Sequence, residues 1–175
     1  MPTRRLAVLI ALLVASAVHA GDDWKHTGTA TRKKKVGFVN VSVYEIQHHM
    51  KELPAKKSKT ALIDAETDKK FLLTMLRDVD QEKMAKALRE AFELNGYKDA
   101  EKIKAFLAAF KAELKEKSTV TIVYDAAKKT TTVTVESGGG TATLEGVEFM
   151  KAVWSIWFGK IDQETLGDDL MSKMP

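Results

Sequence analysis

The chain contains no cysteine, so no disulfide can staple it and packing alone must hold its fold. It also lacks a long apolar run. The longest, Leu6 to Ala15, is ten residues, half of the roughly 20 that a membrane-spanning helix needs. A third absence is charge of one dominant sign. Arg4 and Arg5 are the only charged residues in the first twenty, so the rest holds 26 of the 28 basic residues and all 24 acidic ones, a net charge of +2. Such a balance gives no electrostatic footprint for nucleic acid.

What stands at the start is a pattern of its own. Arg4 and Arg5 lead into the apolar run, and Val18, His19 and Ala20 place small residues where a signal peptidase reads. The expectation is a cleaved signal peptide over residues 1–20 and a periplasmic or secreted product over 21–175. With no later run as apolar, that product has no stable membrane insertion. Its 155 residues fit one domain with one core.

Residues 21–35 read as polar, with the basic cluster Arg32, Lys33, Lys34 and Lys35 ahead of a strand. In that strand, Val36 to Tyr44, Val39, Val41 and Val43 alternate with Phe38, Asn40, Ser42 and Tyr44. Residues 51–59, rich in lysine, read as a loop. Lys70 to Val79 fits a buried strand or a helix equally by periodicity. Asp80 caps an expected helix with Met84, Ala87, Leu88, Ala91 and Phe92 on one face, ended by Asn95 and Gly96. A second opens near Asp99 and carries Ile103, Phe106, Leu107, Phe110 and Leu114. Three short antiparallel strands follow over Thr119–Leu144, with turns at Asp125–Lys128 and Gly138–Gly140. A helix over Val147–Phe158 is apolar over more than half its circumference and must be mostly buried. One short amphipathic helix is expected in the tail from Asp162 to Met174. The order of elements is that of an α+β domain.

No catalytic or metal motif stands out from spacing alone. His48 and His49 are adjacent, and on a strand adjacent rings point to opposite faces, which is poor geometry for one ion. Gly138–Gly140 has no Lys or Ser/Thr pair after it and reads as a hairpin turn rather than a phosphate cradle. The Lys33–Lys35 run reads as a solvated edge, with contact to anionic lipid or an acidic partner as the rival. Trp154 and Trp157, one turn apart on an apolar helix, are core residues first and cavity walls second. No cofactor is called for.

Three segments together resemble the chalcone isomerase-like family. They are FVNVSVY at Phe38–Tyr44, LTMLRDVDQEKMAKALREAFELN at Leu73–Asn95, and GVEFMKAVWSIWFGK at Gly146–Lys160. The resemblance implies an open-faced β-sandwich, a large antiparallel sheet with helices packed on one face, and it turns Lys70–Val79 into a strand. The plant enzymes of the family use an arginine for the oxyanion, a threonine and a tyrosine that order a water, and an asparagine and a Thr/Ser that hold substrate. Along this resemblance the threonine falls at Val39, the tyrosine at Lys83 or Met84, the asparagine at Glu90 and the last hydroxyl at Ile156, and Arg32 stands near the arginine. Apolar side chains cannot order a catalytic water or donate to a phenolate, so no isomerase activity is expected. The family also has non-catalytic, fatty-acid-binding members. The resemblance therefore implies a cleft for a small apolar or carboxylate ligand, lined by Val39, Trp154, Ile156 and Trp157, with Arg32 or Arg77 holding the carboxylate. For Arg77 the rival is a structural pair with Asp78 or a role at the helix start. The other functional readings are an enzyme with a rearranged site and a protein-binding adaptor whose partner the sequence does not name.

Overall fold

A computed structural model describes residues 23–175. The expected signal peptide lies outside the described residues. Six antiparallel strands form one open sheet in chain order: β1 (Lys25–Val36), β2 (Val39–Met50), β3 (Lys69–Met75), β4 (Thr119–Asp125), β5 (Thr130–Val135) and β6 (Thr141–Glu145). Among the described residues five helices accompany them: α1 (Lys59–Asp64), α2 (Gln81–Leu94), α3 (Ala100–Leu107), α4 (Val147–Phe158) and α5 (Leu166–Leu170). This is the α+β, open-faced arrangement that the resemblance implied, with helices on one face of the sheet.

Period-two alternation fixes which face is covered. Tyr44, Ile46, His48 and Met50 on β2, Lys69, Phe71, Leu73 and Met75 on β3, and Val120, Ile122 and Tyr124 on β4 are buried, while their neighbours are partly exposed. Phe71 on β3 thus resolves the ambiguous run as a strand. The buried row meets α4, whose Phe149, Val153, Trp154, Ile156, Trp157 and Phe158 are all enclosed. Asp80 accepts a hydrogen bond from the Lys83 N–H and Asp99 one from the Lys102 N–H, so both expected caps start their helices. Asn95 links two helix ends: its Nδ2 donates to the Ala91 and Lys160 carbonyls and its Oδ1 accepts from the Lys160 N–H at 2.7 Å.

Four sequence expectations are corrected. Most of the stretch 21–35, read as polar approach, lies in β1 (Lys25–Val36), because a strand packed on one face by small residues needs few of the usual β-formers. Thr27, Gly28 and Ala30 are its buried positions, and α5 lies over them. The first expected strand, Val36 to Tyr44, is really a hairpin: Val36 ends β1, Gly37 turns with φ +60°, and β2 runs on to Met50. The lysine-rich loop gives way at Lys59 to α1, capped by Ser58, whose hydroxyl accepts from the Ala61 N–H. The second amphipathic helix stops at Leu107 rather than reaching Leu114. Phe110 and Leu114 are buried beyond it, and Leu114 exchanges both backbone hydrogen bonds with Val79.

Candidate functional site

Between α4 and the sheet the rings are packed against one another. Phe71 lies with its centroid 4.9 Å from that of Trp154 and 4.7 Å from that of Trp157. Each indole N–H is directed at a polar partner on β2, as a buried indole requires. Trp157 Nε1 donates to the Tyr44 hydroxyl at 3.0 Å, and Trp154 Nε1 donates to His48 Nε2 at 2.9 Å. Because Nε2 accepts, Nδ1 carries the proton and donates to Thr27 Oγ1 at 2.7 Å, whose own hydroxyl donates to the Leu170 carbonyl at 2.7 Å. This chain of donors runs from α4 through the sheet to α5 and holds His48 neutral. Burial, with Lys69 beside it, pushes its imidazole well below the usual range.

One end of the interface is ionic. Arg32, at the root of the β1–β2 hairpin and opposite Tyr44 in the ladder, has a side chain only 15% exposed. Its Nη2 lies 2.6 Å from Asp162 Oδ1, and Asp162 is itself largely exposed. Burial pushes the Tyr44 phenol up, against the Trp157 hydrogen bond and the charge of Arg32. Arg32, Tyr44 and Trp157 therefore place a cation, a hydroxyl and an indole side by side where the sheet leaves the helices.

The other end holds Lys69, fully enclosed. Its Nζ donates to the Leu62 and Ile63 carbonyls at 2.8 and 2.9 Å, at the C-terminal turn of α1, and lies 4.7 Å from the Trp154 ring centroid. Burial brings this amine down to about 7, partly opposed by Asp64 and Glu66. In the same row of the sheet, the Tyr124 hydroxyl and Thr131 Oγ1 are buried with no hydrogen-bond partner among the described residues.

Of the six residues named from the sequence, Arg32, Trp154 and Trp157 come together at the helix–sheet interface. Val39, Arg77 and Ile156 do not: Ile156 is two residues from Trp154 and lies on the side of α4 that carries Phe149 toward Phe92 and Phe106. Val39 is 63% exposed near the hairpin tip, five residues beyond Tyr44, or about 16 Å at a strand's rise. It lines no enclosed cleft, and one of the two positions on which the expected loss of isomerase activity rested thus drops out. Arg77 is exposed in the turn between β3 and α2, and Asp78 pairs with Lys115 instead, at 3.1 Å. Ile156, the other position, is buried. His48 and His49 do occupy opposite faces, His48 enclosed and His49 stacked on His26 at 4.6 Å.

Tyr44, His48 and Lys69 were missed as site residues. Parity was the available signal, since each shares its strand's alternating set with residues such as Ile46 or Phe71.

The sequence model described as chalcone isomerase-like matches residues 13–171, nearly the whole chain. The chain belongs to the chalcone isomerase-like family. No curated protein sequence matches it. Among solved structures, a fatty-acid binding protein of Arabidopsis thaliana superposes with a TM-score of 0.68 at 16% identity, over 86% of this chain and 88% of that one. At that identity the likeness is one of fold. Within this chalcone isomerase-like frame, the Arg32–Tyr44–Trp157 end is where a charged group and an enclosed apolar interface meet.

Proposed function

We propose that this chain is an exported, non-catalytic chalcone isomerase-like protein that binds a small apolar carboxylate of the fatty-acid class between α4 and the sheet. The observation that carries the reading is Arg32. It is a mostly buried guanidinium beside Tyr44 and Trp157 whose counterion, Asp162, is exposed and so exchangeable for a ligand carboxylate. Apolar side chains follow behind it, Trp157 on α4 and Phe71 on β3, with Trp154 beyond. The rings fill the interface, so the ligand's apolar body takes the place of a displaced Trp157 rather than entering an open cavity. The fatty-acid binding protein of the same fold lends support to this ligand class. Export rests on the leader alone.

The non-catalytic part rests on the polar groups already committed to structural bonds: Tyr44 to Trp157, and His48 to Thr27 and Trp154. On the family's pattern, the tyrosine and asparagine positions carry Lys83 or Met84 and Glu90, with Lys83 and Glu90 exposed on α2. The close ring packing favours one second reading, an adaptor that binds a protein and holds no ligand. Native mass spectrometry of the protein purified from its own host separates the two. A co-purified mass in the range of a lipid acid supports the carrier, and a bare polypeptide mass favours the adaptor.

A further inference from the structure

The hairpin that joins β1 and β2 extends beyond the helices. Every residue from Lys33 to Asn40 is exposed, with Val36 at 62% and Phe38, in the turn, at 103%. Gly37 makes the turn possible with its left-handed φ of +60°, and it leaves Phe38 as the foremost large side chain. Behind this apolar tip stand Lys33, Lys34 and Lys35. From Lys25 to Tyr44 the sequence holds no acidic residue. Asp162, at the root of the arm, reaches Arg32 and, at 4.0 Å, Lys34.

We infer that this arm docks the protein on an anionic lipid surface, with Val36, Phe38 and Val39 dipping into the interface and the three lysines above them among the headgroups. The inference is independent of any ligand between α4 and the sheet. Charge at the edge of a sheet has a simpler use, because lysines on an edge strand deter pairing with other chains. That use explains Lys33–Lys35 and leaves Phe38 unexplained, since an aromatic ring at the foremost point of a lone hairpin invites association. An apolar wedge with a basic collar is complementary to one surface in particular, the acyl boundary beneath anionic headgroups. A nucleic acid would engage the lysines and leave the valines in water.

Sedimentation with lipid vesicles tests this directly. The exported, purified protein should bind phosphatidylcholine vesicles carrying about a third phosphatidylglycerol and not pure phosphatidylcholine vesicles, and 0.5 M salt should release it, by the screening of charge at that strength. Phe38→Ser should weaken partitioning about ten-fold. The triple variant K33Q/K34Q/K35Q should weaken it about 100-fold, each lysine near such a surface being worth roughly five-fold. All four positions lie on the exposed arm, so the variants are expected to keep the wild-type far-ultraviolet circular dichroism. Equal binding to neutral and anionic vesicles, or binding unchanged in both variants, would overturn the inference. So would an absence of vesicle binding together with concentration-dependent self-association lost in Phe38→Ser, which would make a second copy of the chain the occupant.

Discussion

Lys69 exchanges hydration for two carbonyl oxygens and the face of Trp154. Asp64, Lys151 and Glu66 are the charged groups that act on it, the two carboxylates raising it and the lysine lowering it, and burial outweighs them to leave the amine at about 7. The unfolded chain keeps this proton up to the ordinary lysine range, near 10.4. Between those two values the unfolded state binds more protons than the native state, so native stability must climb with rising pH. From pH 7 to pH 9 the gain is roughly 2 kcal/mol. Urea unfolding at the two pH values should show it in the wild type, and Lys69→Met should flatten it whatever its effect on overall stability. A slope that survives the substitution would show that another group titrates.

At the scale of elements, β1 and α5 depend on one another. A Cβ at Gly28 would stand 2.2 Å from the Asp169 carbonyl oxygen and 2.6 Å from the Leu170 carbonyl carbon, backbone atoms that cannot step aside singly. Thr27 adds its hydroxyl bond to Leu170, and the Thr27 carbonyl accepts from the Lys173 N–H at 2.8 Å. Gly28→Ala should therefore lift α5 from the sheet and raise amide hydrogen exchange over residues 163–174, with a loss of at least about 2 kcal/mol in stability. Unchanged exchange in that segment would contradict the account. The pairing also shows why β1 was hidden from a reading of the sequence. Its inner face is Thr27, Gly28 and Ala30 because a helix comes close there, and small residues carry no hydrophobic alternation. The helices α2, with its apolar stripe and Asp80 cap, and α4, apolar over most of its circumference, and the hairpins of β4, β5 and β6 were legible because each element's burial is written along its own length. The end of α3 was not, since the apolar spacing runs on through Phe110 and Leu114 after the backbone has turned to meet Val79 and Gly140.

For the whole molecule, the site was legible in part. Trp154 and Trp157 could be placed on the inner face of α4 from the helical period, which sets Ile156 on the opposite side, and Arg32 could be singled out by resemblance. That Val39 stands in solvent could not, because alternation assigns a residue to a side of a strand and says nothing of how far the neighbouring helices extend over it. His48 stood out only as half of an adjacent pair with poor geometry for one ion, and its partners Thr27 and Trp154 lie 21 and 106 residues away, beyond any local pattern. What the assembled molecule presents is an ionic mouth, Arg32 with Asp162, opening on an indole bonded to a phenol. Isothermal titration of the purified protein with a long-chain fatty acid, beside its Arg32→Gln variant, tests that mouth most directly. The account predicts saturable one-to-one binding with altered tryptophan emission in the wild type, and at least ten-fold weaker binding in a variant that keeps its fold. Wild-type and variant proteins that bind equally well, or a delipidated wild type that binds nothing, would contradict it.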